Sequence, residues 1–144
     1  MANLNQSTVS AGAFPVSSHP RTKATWHRTA VILAAWIEII VGASFLLVPS
    51  TQSQFVFGAT PEAVGVLFAR FVGFALIGLG IACLPSNVAA TQRGAARSLL
   101  IYNIAATIFF AWVFLATPFH GVMLCPVVIL HSVISITLAL SLRY

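Results

Sequence analysis

Residues 64–84, VGVLFARFVGFALIGLGIACL, form a run of 21 residues that is apolar except for Arg70. A helix needs about 20 such residues to cross a hydrocarbon core about 30 Å thick. Three further runs have the same character, at 29–48, 98–116 and 122–142. Charged residues make up 6% of the 144-residue chain, against about 25% in soluble domains. So little charge cannot cover a water-facing surface, whereas a bilayer removes that demand. Spanning backbone must satisfy its own hydrogen bonds, which leaves helices or closed barrels. The alternating segments of about ten residues that a barrel needs do not occur. The sequence therefore predicts an all-α, integral membrane four-helix bundle, one domain over residues 29–144.

The flanking segments set the topology. Residues 1–28 are polar, contain no acid, and are expected to form a disordered tail because they cannot bury enough apolar area to offset ordering entropy. Residues 50–63 read as a connector, turned by Gly58 and Pro61, with Phe55-Val56-Phe57 resting on the membrane interface. Residues 86–97 read as a polar loop and 117–121 as a tight turn. Arg21, Lys23, Arg28, Arg93, Arg97 and Arg143 all fall on one side of a four-span chain, and the two opposite connectors carry no Lys or Arg. This bias predicts both termini on the cytoplasmic side of a multi-pass protein, with a bacterial inner membrane as the expected location. Basic residues so scattered between apolar spans give nucleic acid nothing continuous to bind. The expected partners are the lipid bilayer and other membrane subunits or a second copy.

Polar residues inside the spans are the candidates for function. With a rise of about 1.5 Å per residue and a core of about 30 Å, Glu38 lies about 14 Å above the inner boundary, Arg70 about 21 Å and His131 about 16 Å. Asn103 and Tyr102 fall below them, in the inner half. An arginine stays charged and must find an anion, polar backbone or water. Glu38 is the acid at that depth on the neighbouring helix, so the two are expected to pair. The pair reads either as a clasp fixing helix register or as part of a mid-membrane site formed by Glu38, Arg70, Asn103 and His131. Gly42, Gly73 and Gly80 occupy positions that let helix backbones approach closely, while Gly78 lies on another face. Cys83 and Cys125 read as packing residues too far apart to be bridged. The histidines do not cluster as metal ligands. No nucleotide loop, nucleophile elbow or HExxH motif occurs, so no catalytic residue, metal or cofactor is assigned.

Four short-looped helices in about 140 residues, with Ala69-Arg70-Phe71-Val72-Gly73 near the start of one, resemble the small DoxX-like bacterial membrane proteins. That group is largely without assigned chemistry, and the resemblance implies a redox-accessory role or one not yet characterised. The placement of Glu38 in the first of four helices is similar in layout to the small multidrug-resistance transporters, where such a Glu binds cations and protons. This chain differs from them in its longer loops, its extended tail and Arg70. The expected function is an accessory or assembly component of a membrane complex, without enzymatic chemistry. The alternative is a small transporter or ligand-binding protein built on the polar residues above.

Overall fold

The computed structural model describes the backbone of residues 20–84 and 89–143, and side chains over 25–84 and 91–143. Five helices account for nearly all of it: α1 (Pro20–Leu47), α2 (Pro49–Phe57), α3 (Ala63–Cys83), α4 (Ala89–Ala116) and α5 (Leu124–Leu142). No strand occurs among the described residues. All but α2 contain stretches long and apolar enough to cross a membrane: Thr25–Leu47, Ala63–Cys83, Thr91–Ala116 and Leu124–Leu142.

Burial is inverted relative to a water-soluble fold. Large apolar side chains cover the outside, among them Phe71 at 70% exposure, Leu67 at 65% and Leu115 at 81%, while Glu38, Asn103 and His131 are buried. A soluble monomer rarely exposes contiguous apolar surface on this scale. A hydrocarbon solvent favours it.

The helix boundaries correct the expected ones in three places. Helix α1 begins at Pro20, so residues 20–28 of the expected disordered tail are helical; the rest of that tail lies outside the described residues. Proline at the first helical position loses no hydrogen bond the helix would have made. Helix α4 begins at Ala89, so most of the expected 86–97 loop is also helix. Its Ala89, Ala90, Ala95 and Ala96 are strong helix formers, and nothing obliges a spanning helix to stop where its apolar residues do. The third correction is α2, in the expected 50–63 connector. Pro49 opens it, and Gly58 closes it in the left-handed conformation (φ 72°), with its N–H donating to the Gln54 carbonyl at 2.9 Å. Val56 of α2 is buried with Val113 and Leu124, and the Met123 N–H donates to the Phe55 carbonyl at 2.9 Å. The backbone of Phe55 and Val56 presses so closely on Gly121 that no Cβ would fit there.

Helix α1 is the shared element. It packs most extensively on α3 and also meets α4 and α5, which pack on each other. The α1–α3 contact is antiparallel and backbone-close. A Cβ on Gly42 would stand 2.7 Å from the Gly73 carbonyl oxygen, one on Gly73 2.6 Å from the Gly42 carbonyl oxygen, and one on Gly80 2.6 Å from the Ala35 carbonyl oxygen. A core of small residues (Ala30, Ala34, Ala35, Ala95, Ala96) with Leu99, Ile134 and Leu138 extends the close packing to α4 and α5. Helix α3 makes no packing contact with α5 among the described residues, so it flanks the bundle and keeps a broad face open. His27 Nδ1 and Ser141 Oγ, 3.1 Å apart, join the beginning of α1 to the end of α5 at one end of the bundle.

Gly73→Ala is expected to destabilise the protein by about 1–3 kcal/mol through overpacking. Gly78→Ala, where a Cβ meets nothing within 4 Å, is expected to change stability by less than about 0.5 kcal/mol. Thermal unfolding of the two variants in one detergent measures the difference.

Candidate functional site

Asn103 is the hub of the buried polar residues. Its Nδ2 donates to Glu38 Oε1 at 3.2 Å and to the carbonyl of Leu99 at 2.9 Å. Its Oδ1 lies 2.7 Å from His131 Nδ1. The chain thus runs from α1 through α4 to α5. Glu38 and Asn103 are 0% exposed and His131 7%.

The amide orientation follows from hydrogen-bond chemistry. A backbone carbonyl only accepts, so the Asn103 atom facing Leu99 must be the NH₂ group. Oδ1 then faces His131 and can only accept, which places the imidazole hydrogen on Nδ1. In the neutral ring this leaves Nε2 as the acceptor nitrogen. Helix geometry supplies the Leu99 contact, because residue 99 lies one turn before residue 103 on the same face. The Thr107 hydroxyl donates to the Asn103 carbonyl at 2.8 Å from the next turn. Phe110 stacks on the His131 ring, with centroids 5.7 Å apart and planes at 14°. Tyr102 meets the same ring edge-on at 6.0 Å.

Of the four predicted site residues the structure brings together Glu38, Asn103 and His131, and leaves out Arg70. No ion pair joins Glu38 to Arg70: Glu38 Oε1 is engaged by Asn103, while Arg70 is exposed and lacks a hydrogen-bond or ion-pair partner among the described residues. The expected Glu38–Arg70 pairing is therefore corrected. Two geometric facts explain it. Gly73 facing Gly42, with Gly80 facing Ala35, puts Arg70 opposite residue 45 of α1, about 10 Å along the axis from Glu38. Helical side chains also lean toward their own N-terminus, and on α3 that direction leads away from Glu38.

Asn103 was expected nearer the inner boundary. Counting depth from residue 98 took no account of the earlier helical residues of α4, and the true register sets Asn103 level with Glu38 and His131. The aromatic walls around His131 were not assigned from sequence. Phe110 lies seven residues after Asn103, two turns along one face, and that spacing is a signal a sequence reading can use.

Two buried polar atoms in this region have no hydrogen-bond partner: Glu38 Oε2 and Ser135 Oγ, the latter one turn beyond His131 on α5. A carboxyl oxygen so placed can accept one more donor or carry a proton. No group of three or more His, Cys, Asp or Glu side chains suited to a metal ion occurs among the described residues. Cys83 is buried, with its Sγ 3.7 Å from the Ala95 carbonyl, and Cys125 is exposed; both are free thiols.

No protein-family model, characterised protein or solved structure matches this chain.

Asn103→Leu removes the hydrogen bonds of Glu38 Oε1 and His131 Nδ1 together. Single interhelical hydrogen bonds within membranes contribute on average about 0.6 kcal/mol, but each buried group left unsatisfied costs about 1–3 kcal/mol. The expected loss is about 2 kcal/mol or more, read by unfolding in detergent. Arg70→Leu is expected to stay within about 0.5 kcal/mol of wild type, as an exposed side chain without internal partners.

Proposed function

We propose that the chain is a multi-pass bacterial inner-membrane protein with both termini in the cytoplasm. In this reading it serves as an accessory or assembly component of a membrane complex and has no chemistry of its own. The observation that carries it is the commitment of the Asn103 amide, which spends its two hydrogens on Glu38 and Leu99 and turns its oxygen to His131. An amide committed in this way ties three helices together and has no hydrogen left to donate to a substrate. The open apolar face of α3 suits a protein that meets other membrane components. The cytoplasmic assignment rests on the Lys and Arg bias between connectors.

A second reading is favoured by one specific observation. Glu38 Oε2 is buried and unpartnered, so it has an acceptor free for a protonated amine or a proton in a small transporter or binding protein. Reconstitution separates the two. Proteoliposomes carrying the wild-type protein are expected to show the same proton and ethidium permeability as protein-free vesicles, and Glu38→Gln is expected to change nothing. Flux that the wild type supports and Glu38→Gln abolishes would establish the second reading.

Topology is tested with single cysteines in a Cys83→Ala, Cys125→Ala background. Gln54→Cys, exposed on α2, is expected to react with a membrane-impermeant maleimide in intact spheroplasts. Ser17→Cys in the N-terminal segment is expected to react only after lysis. The reverse pattern would invert the assigned orientation.

A further inference from the structure

Arg70 is the one charge in the 64–84 apolar run, and the fold does not use it. It lies on the flank of α3, exposed, with no hydrogen-bond or ion-pair partner among the described residues. Leu67 and Phe74, at 65% and 61% exposure, sit one turn to either side of it. A guanidinium stays charged in essentially any protein setting, and in a lipid-facing position it must reach an anion or water. Its place in the helix decides which. Arg70 is seven residues from the start of α3, about 10 Å along the axis, and its side chain leans toward that same end. Extension in this direction covers most of the distance to the headgroup layer.

The chain itself offers no suitable carboxylate. Glu38 is buried against Asn103. Glu62, exposed at the N-cap of α3, is eight residues away, about 12 Å along the axis, and makes no ion pair with Arg70; on a second copy it would be a single acid at a level where every lipid of the leaflet carries a phosphate. Every phospholipid leaflet supplies phosphate at the level its side chain approaches.

We propose that Arg70 binds a phospholipid. Its guanidinium grips the phosphodiester of a lipid in the leaflet at the Ala63 end of α3, and an acyl chain runs along Leu67 and Phe74. Planar, two-pronged donation to phosphate oxygens is the geometry that distinguishes arginine from lysine. The proposal rests on the membrane-spanning reading above and names one ligand class for the open side of α3.

The test uses the full chain in micelles doped with equal amounts of phosphatidylglycerol, phosphatidylcholine and diacylglycerol, with retained lipids read by native mass spectrometry. Wild-type protein is expected to keep either phospholipid in preference to diacylglycerol. Arg70→Leu and Arg70→Gln are expected to lower phospholipid retention about tenfold, the loss of one charge-assisted contact, and Arg70→Lys is expected to fall between. Circular dichroism of the variants checks that the helices persist, and the glutamine variant serves if the leucine one does not fold. Equal retention by wild type and a folded variant would overturn the proposal. So would displacement of the lipid by inorganic phosphate, which would mark a site for free anions. Loss of a dimer or of a co-purifying polypeptide with lipid retention unchanged would assign Arg70 to a protein carboxylate instead. Release of the chain from membranes by alkaline carbonate would remove the membrane reading itself, before Arg70 is examined.

Discussion

Inside an apolar bundle each buried hydrogen-bonding group must be answered by another, because the surrounding lipid answers none. The Asn103 amide is where this constraint is met. It has two hydrogens and one acceptor oxygen to place, and the Leu99 carbonyl fixes which end faces which neighbour. Glu38 Oε1 and His131 Nδ1 then each have one arrangement that pairs them with it. The consequence is positional: α1, α4 and α5 share a register, since sliding any of them by a turn would strand a carboxyl, an amide or an imidazole in hydrocarbon. Polar residues in membrane bundles contribute modestly to stability per bond. Their contribution to choosing one packing over its neighbours is larger, because the alternatives leave several groups unpaired at once.

Helix α3 is held on a different principle. It has no share in the polar chain and is held mainly by close contact with α1, where Gly42 and Gly73 present backbone to backbone and Gly80 lies against Ala35 and Ile39, with Cys83 at its end reaching the Ala95 carbonyl of α4. Dispersion between close surfaces, without a hydrophobic driving force, is what remains for association in lipid. A helix held along one stripe leaves the rest of its circumference to its solvent. This accounts for the exposure of Phe68, Phe71 and Phe74, and for the charge of Arg70 among them.

The four apolar spans, their helical character and the glycine positions were legible in the sequence, since each follows from length, composition or a fixed helical period. The short helix α2 was not, because Ser-Thr-Gln-Ser reads as connector, and the burial of Val56 against Val113 and Leu124 that favours a helix between Pro49 and Gly58 is a tertiary contact. The site was half legible. Glu38 and His131 could be set at one depth by counting residues along their helices, and Asn103 could not, since its count depended on where α4 begins. Arg70 does not pair with Glu38, whose Oε1 is engaged by Asn103. Counting along a helix gives height but not the direction a side chain leans, and that direction decided the pairing.

Arg70 and Glu38 therefore mark two ways a charged residue type persists in a membrane span. Glu38 is kept by the protein: buried at 0% exposure, it accepts through one oxygen from a neutral amide of the neighbouring helix. Arg70 faces outward, seven residues into α3, and its long stem can carry the charge toward the headgroups. The two solutions are not interchangeable. A carboxyl on the α3 flank would be shorter, lean the same way and fall short of the headgroup layer. An arginine at position 38 would meet the Asn103 NH₂, donor against donor. Residue type, helix direction and distance from the helix start thus jointly decide which polar residue builds the interior and which meets the lipid.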